Sequence, residues 1–272
     1  MLRRVVSMLL IAVFCSSVIA AGPPPTSLPL APRAGVPEAG ELINESGRLR
    51  MLSERMGKAY AQLALNLAPE KAREQLAKSQ KRFEENLAFL GRGALTTETK
   101  AALDVVATTY KSYAKALAVP ANKASVVAAH RLTDKMVREA ENLTAVFEGH
   151  AQAPTAKVVN VSGRQRMLSQ RMARLYFATA LGNGTVNGDI DKARAEFTSA
   201  LAMLEASPLS SVEIRREMDL AKTQWLFFEQ ALLGNGDLAS NLRNVVTTSE
   251  RLLETMDNLT SLYSKALRLV LG

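Results

Sequence analysis

Two arginines, Arg50 and Arg166, occupy the same place in a segment that the chain uses twice. Asn44-Glu-Ser-Gly-Arg-Leu-Arg-Met-Leu-Ser-Glu-Arg-Met-Gly-Lys-Ala-Tyr60 returns as Asn160-Val-Ser-Gly-Arg-Gln-Arg-Met-Leu-Ser-Gln-Arg-Met-Ala-Arg-Leu-Tyr176, with eleven of seventeen positions identical and an offset of 116 residues. A guanidinium is a planar fork of donors that matches a planar oxyanion through parallel hydrogen bonds. Two of them brought face to face repel unless an anion lies between them, so a pair of these segments could hold one small anion. Gly47 and Gly163, one turn before each arginine, would let a ligand oxygen approach the backbone, and Ser46, Ser53, Ser162 and Ser169 could add hydroxyls. These eight residues form the candidate ligand-binding set.

Other chemistries find less support. His130 and His150 have no counterparts in the other copy and no metal-ligand spacing, and no phosphate loop or nucleophile motif is present, so neither catalysis nor a metal or cofactor is expected. The single cysteine, Cys15, lies in the N-terminal apolar run, which leaves a processed chain without thiol chemistry. Met56 and Met172 point to packing rather than to a copper site. Lys and Arg total 34 against 26 acidic residues, a formal charge of +8, which favours small anions. The basic residues are spread along the chain without the basic stripe and interleaved aromatics of a nucleic-acid binder, so no nucleic-acid partner is expected.

The elements that must position the arginines are helices. On a helical wheel Leu42, Leu49, Leu52, Met56, Ala59 and Leu63 fall on one face, the core side of a bundle. The other face carries Ile43, Gly47, Arg50, Met51, Glu54 and Lys58, repeated as Val159, Gly163, Arg166, Met167, Gln170 and Arg174. Ile43 and Met51 gain nothing from facing water, and a glycine inside a helix costs ~1 kcal/mol relative to alanine. This second face is therefore predicted to pack against another first helix, from the other repeat or from a second molecule, which leaves monomer and homodimer both open. An Arg50–Glu54 pair along one helix would contribute only ~0.3–0.5 kcal/mol, and Gln170 stands where the second copy would need the acid. Arg48, Arg55, Arg164 and Arg171 are predicted to pair with carboxylates of adjacent helices.

The organisation of the chain follows from its breakers. Met1 to Ala21, with arginines 3 and 4, an apolar run from Val5 to Ile19 and small residues after it, reads as a cleaved secretory signal, which predicts a periplasmic or secreted protein. Residues 22–40 are a Pro/Ala-rich leader. From there Pro and Gly cut the chain into eight helical segments, four per repeat, with Gly149 to Pro154, including His150, as a linker and Trp225 in the third helix of the second half. Phe83, Leu87 and Leu90 answer Phe197, Leu201 and Leu204, and Asn142-Leu-Thr144 answers Asn258-Leu-Thr260, so the whole unit is duplicated. The fold class is all-α: two tandem up-down four-helix bundles, residues 41–149 and 157–272. No segment after the signal reaches the ~18–20 apolar residues needed to cross a bilayer, so a signal generated here must pass through a partner.

The pattern Asn-x-x-Gly-x-x-Arg-Met-x-Ser-x-Arg resembles the first-helix box of the N-terminal domain of type IV pilus methyl-accepting chemotaxis transducers (PilJ-like), and of the related periplasmic sensor domain of nitrate/nitrite sensor kinases. The resemblance implies periplasmic four-helix bundles, here as two tandem copies. It also implies that two first helices meet and that the arginine before the methionine, Arg50 and Arg166 here, binds nitrate or nitrite between them with help from backbone at Gly47 and Gly163. The expected function is small-anion binding or sensing. The alternative is a ligand-free interaction module whose box face docks onto the first helix of a membrane chemoreceptor or sensor kinase of the same family. The chain departs from that family in carrying two copies, and no flanking membrane helix, kinase or methyl-accepting module is recognised within it.

Overall fold

The structure, a computed structural model, describes residues 37–151, 156–182, 187–234 and 236–271. The expected signal and most of the leader lie outside these residues. Among the described residues the chain is helical apart from short connections, without strands: α1 (Ala39–Ala64), α2 (Pro69–Gly93), α3 (Thr97–Leu117), α4 (Lys123–Ala151), α5 (Ala156–Ala180), α6 (Asn187–Glu205), α7 (Val212–Leu233) and α8 (Leu238–Leu271).

Local chemistry sets the helix ends. Pro69 opens α2 at a position where its missing N–H costs nothing. Thr96 and Thr99 exchange backbone and hydroxyl bonds at the start of α3, and Asn122 Oδ1 accepts from the N–H groups of Ala124 and Ser125 ahead of α4. Ser211 caps α7 through Ile214 N–H at 3.2 Å, and Asp237 caps α8 through Ser240 N–H at 3.0 Å. The predicted linker begins later than expected, because α4 continues through Gly149 and His150 to Ala151. Ala151 still packs on the core and His150 Nε2 lies 3.7 Å from Glu98 on α3, contacts that hold the last turn together.

The eight described helices, α1 to α8, form one compact unit. Within each repeat the first helix lies between the second and fourth, and the third packs on the fourth. Phe83 stacks on Tyr110 at 4.3 Å in the first repeat, and Phe197 stacks on Trp225, on α7, at 4.4 Å in the second. The most extensive helix pairing of all joins the repeats, α1 against α5. These two helices run in the same direction, since contacts advance together from Asn44 with Arg166 to Glu54 with Arg171 and Arg174. Flanked by α2, α4, α5 and α8, α1 is buried on nearly every side, and its predicted interface face meets the other repeat of the same chain.

Candidate functional site

The seam between α1 and α5 carries charge where a bundle centre ordinarily carries leucine. Arg50 and Arg166 are both fully buried. A Cβ at Gly47 would stand 2.8 Å from Arg50 Nη2 and 3.8 Å from Arg166 Nη2, and one at Gly163 would stand 3.1 Å from Arg166 Nη2 and 3.6 Å from Arg50 Nη2. Both guanidiniums therefore converge on the patch that the two glycines leave free of side chains. Of the candidate set, these four residues are brought together.

The charges are matched by acids that periodicity alone does not single out. Arg50 Nη1 bonds Glu141 Oε2 at 2.5 Å, and its counterpart Arg166 Nη1 bonds Asp257 Oδ1 at 2.6 Å. Each acid receives a second arginine from the opposite repeat: Arg164 reaches Glu141 at 3.0 Å and Arg48 reaches Asp257 at 2.8 Å. Across the seam Arg50 Nη2 donates to Asn160 Oδ1 at 2.8 Å, and Arg166 Nη2 donates to the carbonyl of Asn44 at 3.0 Å. Every one of these residue pairs has its counterpart at the 116-residue offset, a local two-fold relation written into the sequence, although Arg50 meets the side chain of Asn160 and Arg166 the backbone of Asn44. Glu141 and Asp257 each stand directly before the repeated Asn-Leu-Thr, the sequence signal that could have found them.

Burial dominates the protonation chemistry. It draws the Arg50 guanidinium below its ordinary range against the pull of Glu141. Burial, reinforced by the nearby Arg48 charge, lowers Arg166 to about 10. For the acids, burial would raise the pKa, but facing arginines outweigh it: Glu141 is held low by Arg50, and Asp257 is brought to about 2 by Arg166 and Arg48.

One to two turns further along, a second charged layer crosses the seam. Glu54, fully buried, accepts from Arg171 Nε at 2.8 Å and from Arg174 Nε at 2.5 Å. Arg174 also reaches Asp134 at 2.8 Å and bonds the ring of His130. In the other half Lys58 and Arg55 both meet Glu250, whose pKa they bring to about 2 against the effect of burial. Gln170, the counterpart of Glu54, donates instead to the carbonyl of Ser249 at 2.9 Å. The flank arginines 48, 55, 164 and 171 thus all meet carboxylates of other helices, as their spacing predicts.

The four candidate serines are engaged elsewhere. Ser46, Ser53 and Ser169 donate to the carbonyls of Ile43, Leu49 and Arg166 in their own helices, at 3.1, 2.8 and 2.8 Å, and Ser162 shares a hydrogen bond with Thr260 at 2.9 Å. A buried helical serine satisfies its hydroxyl most cheaply on the preceding turn. Among the described residues no cluster of His, Cys, Asp and Glu could hold a metal, and no helix is long and apolar enough to cross a membrane.

No curated protein and no solved structure matches the chain. The family model described as the N-terminal domain of type IV pili methyl-accepting chemotaxis transducers matches residues 37–143 and again residues 150–250. The two matched ranges follow the two repeats and contain both boxes, Arg50 with Gly47 in the first and Arg166 with Gly163 in the second. Together they span well over half of the sequence, and the protein belongs to this sensory family, in two tandem copies.

Proposed function

We propose that this protein is an exported, periplasmic sensor in which the two four-helix repeats, residues 41–149 and 157–272, clamp one small oxyanion between Arg50 and Arg166. The protein is a sensory module by family; the clamp, the anion, with nitrate or nitrite as its identity, and the export are the proposal. The observation that carries it is the convergence of two buried guanidiniums on the Gly47–Gly163 patch. Each guanidinium has one acid of its own, and an anion seated between them would add an acceptor that both forks share. The Arg166 Nε donor supports the same reading, being buried without a hydrogen-bond partner.

The alternative, docking of the box face onto the first helix of a membrane receptor, has less room, because that face of α1 is covered by α5. A receptor or kinase that receives the signal would meet the outer helices instead. The deciding experiment titrates nitrate and nitrite calorimetrically into the intact protein and into the Arg50→Lys, Arg166→Lys double variant, which keeps the charge and removes the fork. Binding is expected to weaken by at least about tenfold in the variant. Equal heats from two proteins with the same helical circular dichroism would overturn the proposal.

A further inference from the structure

Among the places where the two halves of the seam differ, one lies beside a cavity. In one half the Asn160 carboxamide is held at both ends: its Nδ2 donates to the carboxylate of Glu148, and its Oδ1 accepts from Arg50 Nη2. At the same offset the counterpart of Glu148 is Ser264, so Asn44 has no acid to orient it. Asn44 is only 9% exposed, and its Oδ1 is buried without a partner, as is Arg166 Nε. Beside Asn44 and Ser264 opens a cavity of about 440 Å³ between α1, α2 and α8, also lined by Asn86, Phe89, Arg92 and Lys265.

The charges around this cavity are unevenly committed. Its acids already have arginines: Glu45 meets Arg48 at 3.2 Å and Arg82 at 3.1 Å, Glu85 meets Arg82 at 3.6 Å, and Glu41 meets Arg268 at 3.6 Å. Lys265 and Arg92 have no carboxylate within salt-bridge reach among the described residues, and the Arg92 guanidinium lies 5.0 Å from the centre of the Phe89 ring. Uncommitted cations, an unoriented carboxamide and an apolar ring together describe a receptor for an anion with a short carbon chain.

We propose that this cavity binds a small organic carboxylate whose oxygens take, at Asn44, the role that Glu148 plays at Asn160. The ligand accepts from Asn44 Nδ2, its charge is balanced by Lys265 and Arg92, and its alkyl part lies on Phe89. Fixing Asn44 in this way turns its Oδ1 toward Arg166, as Asn160 Oδ1 is turned toward Arg50. The site is distinct from the arginine clamp and needs no anion there.

Calorimetry with butyrate, and with butyramide as the uncharged analogue, tests it on the intact protein. Butyrate is expected to bind at least about tenfold more tightly than butyramide. Ser264→Glu, which supplies the missing carboxylate from within, is expected to abolish butyrate binding and to raise the melting temperature. Lys265→Met, at an exposed position that leaves the core untouched, is expected to weaken butyrate severalfold. Absence of heat at millimolar butyrate, equal binding of butyrate and butyramide, or undiminished butyrate binding in both variants would overturn the proposal. Nitrate titrated into Lys265→Met, an exposed position that touches neither Asn44 nor Arg166, reads the clamp separately, so the failure of one site is not mistaken for failure of the other.

Discussion

A buried arginine is tolerated only while its acid stays charged, which makes Glu141 and Asp257 as consequential as the arginines they serve. Glu141→Gln keeps the shape and removes the charge opposite Arg50 and Arg164. Because Glu141 is partly exposed, the expected loss is about 2 kcal/mol rather than the larger penalty of a fully buried pair, read as a lower urea midpoint with an unchanged slope. Adding Arg50→Met should recover part of that loss, since it removes the stranded charge. The acids also set the pH response. Asp257 and Glu250 have folded pKa values of about 2, below their ordinary values near 4. A depressed carboxylate binds fewer protons when folded, so its contribution is complete above the unfolded value and is lost as pH falls toward 2. Melting temperature should therefore drop steeply between about pH 5 and pH 2, and Glu250→Gln should flatten part of that drop while lowering stability at neutral pH.

At the scale of helices, the unusual element is α1, whose close neighbours leave little room for change. A Cβ at Gly57 would stand 2.8 Å from both Arg174 Cδ and Thr133 Oγ1 and 3.2 Å from the Tyr113 hydroxyl. Gly57→Ala should thus cost about 1–3 kcal/mol despite the better helix propensity of alanine. Ala68 offers the opposite case: just before Pro69 it holds φ at 46°, a left-handed conformation that strains a β-carbon. Ala68→Gly should raise stability by about 0.5–1 kcal/mol in thermal or chemical denaturation. Much at this scale was legible beforehand. Pro69, Pro120 and Pro208 and the glycine clusters marked the helix breaks, while Ile43, Gly47 and Met51 announced a covered second face on α1. Periodicity did not single out the acids, because which of 26 carboxylates meets a buried arginine depends on the register between helices, and a 3.6-residue period fixes rotation about one axis only; their place before the repeated Asn-Leu-Thr was the legible signal. The bonding of the serines follows from a related limit. Their type suits a ligand, but a hydroxyl in a buried helix finds the carbonyl one turn back before anything else.

For the molecule as a whole, pairing of α1 with α5 inside one chain removes the need for a second copy to complete the seam. Light scattering across a wide concentration range should return a monomer, with a melting temperature that does not change on dilution. Expressed alone, either repeat would expose a face carrying arginines or lysine beside Ile43 and Met51 or Val159 and Met167. Each should be markedly less stable than the whole or should self-associate, which denaturation of residues 37–151 against the full chain would reveal.

The exchange of Glu148 for Ser264 gains a different meaning in a tethered pair. Two identical chains meeting at a symmetry axis must carry every substitution twice, so a change that helps one side is imposed on the other. Joined end to end, the halves are free to specialise: one can remain internally complete while its twin becomes responsive. Division of labour of this kind is closed to a homodimer, and a single glutamate left behind on one side is enough to begin it.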